Sequence, residues 1–400
     1  VTNNVLLNGD IRLVNPGKNS AAQLIQTHTS ATLVTGGGQL LVDQNSTVPS
    51  IYRYNYLSSP VVSTAGATSY TVANVLKDGT TATNAAGIIN TDIAKNITWN
   101  SSGLDGNASN PISLAEHWIY TYPSSISAST GYIQKLSSGT IPNTDGFTLK
   151  GPGRVQNYTF LGIPKDGQLT TIIGQEHTYL LGNPYASAIS VQQFIEDNTN
   201  SITGTLYFWE HAGEQSTTGA TGHNASGYIG GYATRTIAVG VVAPNDGSGT
   251  VYTQPGPYIA IGQGFFVEGD NSAGGTIEFN NSQREYKLEA AGTSVFLKSN
   301  ATSNTNSSLD LPVIKLSLGY INTDDNKEYY RQIGVSFSQK TSFNYDKGYD
   351  AEIYDVGNTD FYWKFPSDDT KYVISGVQNI SDDLEVPLEI TMGYSGDVSI

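Results

Sequence analysis

Short alternations of apolar and polar residues, bounded by turn residues, run through most of the chain. In one such run Tyr52, Tyr54 and Tyr56 alternate with other residues, and Pro60 follows where regular pairing would end. Because successive side chains of a strand point to opposite faces, these three rings share one face. No long apolar stripe with a period of 3.6 residues is present. The pattern therefore predicts an all-β fold.

The chain carries one predicted helix, over residues 191–197. Ser190 would be its N-cap, and Gln193 three residues later would complete a capping box. Phe194 and Ile195 would then face the core. A helix of about two turns is not stable alone, so we expect it to depend on tertiary packing.

Turn residues and shifts in composition divide the chain into four predicted segments. Residues 1–48 hold short strands that form either the last coils of a β-solenoid or the edge of a sandwich. Residues 49–290 form the main module, a β-sandwich or jelly-roll-like domain. Residues 291–308, rich in Ser, Asn and Thr, form a linker. Residues 309–400 show seven short strand patterns, which are typical of an immunoglobulin-like β-sandwich.

Composition excludes several classes of function. The formal net charge of −15 excludes a broad basic surface for nucleic acid and argues against binding to anionic lipid. No apolar stretch is long enough for a transmembrane helix, so we expect no direct insertion into a membrane. With no cysteine in the chain, disulfides, thiolate metal sites and a cysteine nucleophile are all excluded.

Motifs of the common catalytic sites are missing from the sequence. Three of the five histidines follow a glutamate, but neighbours on a strand point to opposite faces and cannot hold one metal together. Neither His-Glu-x-x-His nor Gly-x-Ser-x-Gly occurs. A glycoside hydrolase would need two carboxylates facing each other across a cleft, which a sequence does not reveal. We therefore predict that the chain is not an enzyme.

Two acidic loops are candidate calcium sites. Asp324 and Asp325 lie in one of them, and Asp346 and Asp350 lie in the other. Carboxylate oxygens suit calcium, which takes six to eight oxygen ligands. Neither loop matches an EF-hand, and acids that only cap turns are the alternative interpretation.

Aromatic residues are the candidates for ligand binding. Tyr207, Trp209 and Tyr232 could form a flat platform for sugar rings. Alternation places Tyr207 and Trp209 on one face of a strand, but the same residues commonly fill a sandwich core with a polar tip at its edge. The sequence leaves both interpretations open.

A series of motifs in fixed order carries a family resemblance. The motifs lie at residues 179–189 (Tyr-Leu-Leu-Gly-Asn-Pro-Tyr-Ala-Ser-Ala-Ile), 204–211, 230–234, 262–267 (Gly-Gln-Gly-Phe-Phe-Val), 330–334 and 344–351. Together they resemble a module near the carboxyl end of large surface proteins that Gram-negative bacteria export through the type IX secretion system. In those proteins a sorting domain follows.

The resemblance implies a location and a role. We expect an extracellular, cell-surface module that presents or spaces upstream domains, or mediates adhesion, and that travels as secretion cargo. Its expected partners are the type IX translocon or the surface attachment machinery, with glycans or other surface proteins as ligands. A carbohydrate-binding, lectin-like module is the alternative, and a polysaccharide-degrading enzyme is a third hypothesis. Since the chain begins at Val1 and ends on a strand pattern, we expect it to be part of a longer protein.

Overall fold

Short β-strands make up nearly all of the regular structure, so the predicted all-β fold is confirmed. The computed structural model describes residues 4–15, 17, 20–29, 33–46, 50–79, 94–124, 131–211, 230–246, 252–270, 272–289, 311–322, 325–366, 368–393 and 396–400. No helix within these residues is long and apolar enough to cross a membrane. The predicted linker, residues 291–308, lies outside the described residues.

The amino-terminal part is organised around its longest strand, β16. Its elements are β1 (Val5–Leu6), β2 (Ile11–Leu13), β3 (Val34–Thr35), β4 (Leu40–Ser46), β5 (Tyr54–Leu57), β6 (Val61–Val62), β7 (Ser69–Thr71), α1 (Val72–Val75), β8 (Leu76–Asp78), β9 (Lys95–Asn96), β10 (Thr98–Asn100), β11 (Ser113–Ala115), a 3-10 turn (Glu116–Trp118), β12 (Tyr120–Thr121), β13 (Ile133–Gln134), β14 (Thr140–Pro142), β15 (Phe147–Lys150) and β16 (Gln156–Pro164).

Strand β16 pairs antiparallel with β4 over seven residues and also with β6 and β8. The first strands pair in parallel instead, β1 with β3 and β2 with β4. Strand β4 thereby ties the first segment of the chain to the sheet of β16. A core that includes Val42, Phe147 and Phe160, each fully buried, packs against this sheet.

The middle of the chain forms an antiparallel five-stranded sheet in the order β18-β25-β20-β21-β22. The elements of this part are β17 (Leu169–Ile173), β18 (Thr178–Gly182), β19 (Ala188–Ser190), α2 (Val191–Asp197), β20 (Leu206–His211), β21 (Gly230–Arg235), β22 (Gly240–Val241), β23 (Asn245–Asp246), β24 (Tyr258–Ile259), β25 (Gly264–Glu268), β26 (Gly275–Phe279), a 3-10 turn (Asn281–Gln283) and β27 (Arg284–Glu285).

Helix α2 occupies the residues predicted for it. The Ser190 side chain accepts a hydrogen bond from the backbone N–H of Gln193, and Phe194 and Ile195 are buried. The second half of the predicted capping box is wrong, because the Gln193 side chain donates to Asp197 rather than returning to Ser190. Phe194 packs on Phe265 and Phe279 at ring separations of 5.5 and 5.0 Å, so tertiary packing stabilises this short helix.

The carboxy-terminal strands form a second large sheet, in which every pairing except that of β29 with β32 is antiparallel among the described residues. These strands are β28 (Val313–Asn322), β29 (Lys327–Phe337), β30 (Ala351–Glu352), β31 (Asp360–Trp363), β32 (Tyr372–Val377) and β33 (Leu388–Thr391). Strand β23 from the middle of the chain also pairs with β29. Ala238, Val239 and Val241 lie in the same core as Trp363 and Ile374, so residues on both sides of the predicted linker share one core.

A buried ion pair joins two strands of this sheet. The Arg331 guanidinium donates from Nε and Nη2 to the two carboxylate oxygens of Asp360, at 2.5 and 2.9 Å. Only 9% of the Arg331 side chain and 1% of the Asp360 side chain is exposed. Asp360 also accepts hydrogen bonds from the backbone N–H groups of Gly357 and Phe361.

We predict that Arg331→Met lowers the free energy of unfolding by about 3–5 kcal/mol, because it leaves the Asp360 carboxylate buried without its cation. Urea denaturation measures the change. Lys364→Met is the control, because it breaks the exposed Lys364–Asp369 pair and should change little. Equal stability of wild type and Arg331→Met would contradict the structural role given to the buried pair.

Candidate functional site

Strand β20 presents a different set of side chains on each of its faces. Leu206 and Phe208 point into the main core, whereas Tyr207 and Trp209 belong to an aromatic cluster on the opposite face. The predicted alternation of Tyr207 and Trp209 therefore holds. The neighbouring strand β25 repeats the pattern, with Phe265 in the core and Phe266 in the aromatic cluster. This sheet is apolar on both faces.

The aromatic cluster is not a flat, exposed platform. Tyr207 is only 3% exposed, so it offers no open face to a sugar ring. The rings of Trp209 and Tyr232 are 5.0 Å apart and inclined at 64°, and Tyr354 meets Tyr232 at 4.6 Å and 62°. These edge-to-face contacts stabilise the cluster itself. The predicted platform of Tyr207, Trp209 and Tyr232 is thus corrected: Tyr207 is a core residue, and the other two line a cavity.

That cavity, the aromatic pocket, has a volume of about 380 Å³. Such a volume falls within the range of small-molecule sites. Strands β5, β12, β15, β20 and β21 and the segment before β13 supply its walls. The lining residues are Tyr54, Tyr56, Tyr120, Tyr132, Thr148, Trp209, His211 and Tyr232.

His211 at one end of the pocket is held in a defined protonation state. Its Nε2 accepts a hydrogen bond of 2.8 Å from the backbone N–H of Tyr54. Since a backbone N–H can only donate, Nε2 must be unprotonated and Nδ1 carries the proton. Burial, together with the charges of Arg53 and Lys150, lowers the pKa of His211 to about 3. The imidazole is therefore neutral at physiological pH and offers an N–H donor.

Two further features give the pocket polarity. The indole Nε1–H of Trp209 is buried and has no hydrogen-bond partner among the described residues. At the mouth, the hydroxyls of Tyr56 and Tyr132 are hydrogen-bonded at 2.9 Å, and Tyr132 is 42% exposed. The pocket thus combines aromatic walls with N–H and O–H groups.

A buried ammonium lies beside the aromatic pocket. Lys150 Nζ lies 3.6 Å from the ring centroid of Trp118 and 4.8 Å from that of Tyr54. Burial lowers the pKa of Lys150 to about 8, against the opposing effect of the Asp105 charge. The ring faces partly replace the water that this cation has lost.

An acidic cleft of about 490 Å³ lies at the other end of β20. Burial raises the pKa of Glu268, with further contributions from the charges of Glu352 and Glu176. The carboxylates that line the cleft come from the middle and from the carboxy-terminal part of the chain: Glu176, Glu268, Asp270, Glu352 and Asp368. An ion pair with Lys347 neutralises Asp270 at the edge. Sequence reasoning could not bring Glu268 and Glu352 together, because they lie on different sheets.

The candidate calcium ligands are engaged in loop hydrogen bonds. Asp350 is fully buried and accepts from the backbone N–H groups of Asp346 and Gly376 at 2.5 and 2.7 Å. Burial raises its pKa to about 7. Asp346 accepts from the backbone N–H and hydroxyl of Ser342.

The second candidate loop is exposed. Asp325 accepts from the backbone N–H of Lys327 and the hydroxyl of Tyr329, and Asp324 lies outside the described residues. Within the described part of the chain no group of three or more His, Asp or Glu side chains is placed to hold a metal ion. Calcium at these loops stays a prediction.

Comparison with known proteins gives a family without an assigned activity. The sequence model of a family described as a domain of unknown function (DUF8693) matches residues 1–400. No curated protein and no solved structure matches the chain.

Glu210, between the two pocket residues of β20, points to the opposite face and is buried. Its Oε2 accepts from the backbone N–H of Thr253 at 2.8 Å, and its Oε1 has no partner among the described residues. Burial raises the pKa of Glu210 to about 8. The Glu210 carboxyl therefore binds its proton more tightly in the native state than in the unfolded chain. The stabilisation that this protonated, neutral form provides is lost as the pH rises through about 8.

We predict that in Glu210→Gln the contribution of residue 210 to the unfolding free energy no longer falls as the pH rises. Relative to wild type, the variant should gain roughly a few kcal/mol of unfolding free energy between about pH 5 and pH 9. Urea denaturation across that range measures the difference. The exposed Glu328→Gln is the matched control and should follow wild type. Parallel pH profiles of Glu210→Gln and wild type would show that Glu210 is ionised in the native state.

Proposed function

The chain belongs to the family DUF8693, whose model spans all of it, and we propose that it is a non-enzymatic extracellular adhesion or structural module of a bacterial surface protein. The type IX secretion system would export it, with the translocon or the surface attachment machinery as partner. The ordered motifs at residues 179–189, 204–211 and 262–267 support this placement. They build the central five-stranded sheet and the strands around it.

The aromatic pocket is the observation that supports adhesion, through the binding of a carbohydrate. Sugar rings have apolar C–H faces that pack on aromatic rings and hydroxyls that accept and donate hydrogen bonds. Trp209 and Tyr232 offer such rings, and His211 and Tyr132 offer polar groups beside them. Pockets of mostly apolar lining with a few placed polar groups are the usual form of small-ligand sites.

Spacing of upstream domains is the second candidate function, and the shared core supports it. Ala238, Val239 and Val241 pack in the carboxy-terminal core, and β23 pairs with β29. A large apolar interface opposes relative motion of two units. A module of this kind would hold its neighbours at a fixed distance.

The acidic cleft carries the hypothesis of a polysaccharide-degrading enzyme. A glycosidase needs two carboxylates about 5–10 Å apart across the scissile bond. Our proposal holds that Glu268 and Glu352 do not hydrolyse sugars. Turnover of a polysaccharide by the wild type, abolished in Glu268→Gln or Glu352→Gln, would overturn the non-enzymatic part of the proposal.

We predict that the purified chain binds specific oligosaccharides on a glycan array, and that Trp209→Ala and Tyr132→Ala weaken binding at least about tenfold. The reason is that both remove aromatic contact area inside the pocket. Tyr132 is a useful second variant because it lies at the exposed mouth, where a substitution disturbs the core less. Tyr286→Ala, an exposed tyrosine outside the pocket lining, is the control.

The array is read with calcium and with a chelator. Loss of binding on chelation would implicate the acidic loops of Asp325, Asp346 and Asp350. Absence of glycan binding under both conditions would remove the adhesion role and leave spacing of upstream domains as the function. Unchanged binding by Trp209→Ala and Tyr132→Ala would place the sugar elsewhere on the surface.

A further inference from the structure

We infer that the aromatic pocket selects an acidic sugar residue, with the sugar ring against Trp209 and Tyr232 and its carboxylate at His211. This inference rests on the proposed carbohydrate binding and names the class of sugar. It draws on the donors inside the pocket and on the charges around it.

The fixed donors of the pocket call for an acceptor on the ligand. His211 accepts at Nε2 from the backbone N–H of Tyr54, so its ring keeps Nδ1–H as a donor. The Trp209 indole N–H is buried in the pocket wall and has no hydrogen-bond partner among the described residues. A buried donor without a partner is costly, and a carboxylate accepts from two donors at once. The rings of His211 and Trp209 are 5.4 Å apart, so one end of the pocket holds both.

Two positive charges act at this end of the pocket, and the Asp105 carboxylate, which acts on Lys150, is not among the lining residues. Lys150 and Arg53 both act on His211 electrostatically, and both make its protonation harder. Lys150 follows Thr148 by two residues on β15 and therefore shares its face, and Thr148 lines the pocket. Its ammonium lies 4.8 Å from the ring centroid of Tyr54, another lining residue. Among the described residues that line the pocket, none carries a carboxylate.

These cations argue against the other common ligand of an aromatic pocket, a quaternary ammonium group. Such a cation binds to open ring faces. Here the faces of Tyr54 and Trp118 already meet the Lys150 ammonium, and a second cation would be repelled. The acidic cleft at the far end of β20 has the opposite sign, so charge distinguishes the two ends of this strand.

The net charge of −15 does not prevent binding of an acidic sugar. Exposed charges more than about 8–10 Å apart are largely screened at physiological ionic strength, whereas buried charges are screened less. The local cations therefore decide the sign that a small ligand experiences. Lys150 is buried, with 3% of the residue exposed.

The charge of Lys150 gives the selectivity a pH dependence. The groups that act on its ammonium are the rings of Tyr54 and Trp118, the neutral His211 and the Asp105 carboxylate, while Arg53 acts on His211. Lys150 is charged below about pH 8 and neutral above it. Preference for the acid should therefore be full at about pH 7 and fall as the pH rises through about 8.

The test is calorimetric titration of the full chain with three ligands: a hexuronic acid oligomer, its methyl ester, and the neutral hexose oligomer of the same linkage and length. We expect the acid to bind about tenfold more tightly than the ester at about pH 7, with the ratio shrinking at about pH 9. The ester keeps the ring and its shape, so the ratio reports the charge alone.

Lys150→Met removes the ammonium and keeps an apolar stem of similar length. We expect it to abolish the preference for the acid while binding of the ester persists, and the exposed Lys340→Met to behave as wild type. Equal affinity of wild type for acid and ester would overturn the inference and leave sugar binding intact. A preference unaffected by Lys150→Met and by pH would also overturn it. Failure of all three sugars to bind would refute the inference together with the pocket's proposed role in carbohydrate binding.

Discussion

The rest of the structure depends on a central sheet that is apolar on both of its faces. Strands β20 and β25 alternate, yet hydrophobic or aromatic side chains occur on both of their faces, so the sheet must be covered twice. Helix α2 and its surroundings cover one face with a close-packed core. The other face is covered by β5 and by rings from distant segments, such as Tyr122 and Tyr354. This second cover is incomplete, and the aromatic pocket and the acidic cleft lie where it ends.

Burial sets the charge state of the groups around this sheet. Glu210 on the core face is neutral at physiological pH, because desolvation outweighs the hydrogen bonds from Thr253 that favour its charged form. His211, the next residue, is neutral for the same reason and keeps a donor directed away from Tyr54. Arg331 and Asp360 are buried as a pair in which two hydrogen bonds join the guanidinium to the carboxylate. The free-energy cost of burying a charge thus accounts both for the neutral His211 in the pocket wall and for the pairing of Arg331 with Asp360.

Several features followed from local sequence and were found in the structure. The all-β class follows from alternation and turn residues, and α2 from the Ser190 cap and the apolar positions behind it. Alternation also placed Tyr207 and Trp209 on one face. It did not reveal which of them is exposed, because exposure depends on what covers that face. Local sequence also did not reveal that the Gln193 side chain donates a hydrogen bond to Asp197 instead of bonding to the backbone of Ser190.

The amino-acid sequence by itself determined the periodicity of apolar and polar residues. That periodicity is enough to predict strands, one helix and which side chains share a face of a strand. The tertiary structure alone decided which distant segments meet. Tyr120, Tyr132, Thr148 and His211 lie far apart along the chain and converge on one pocket, and Glu268 and Glu352 meet in one cleft. The physical reason is that strand periodicity repeats every two residues and contains no information on pairing partners. Pairing is selected by the burial of whole sheets, which is a property of the entire chain.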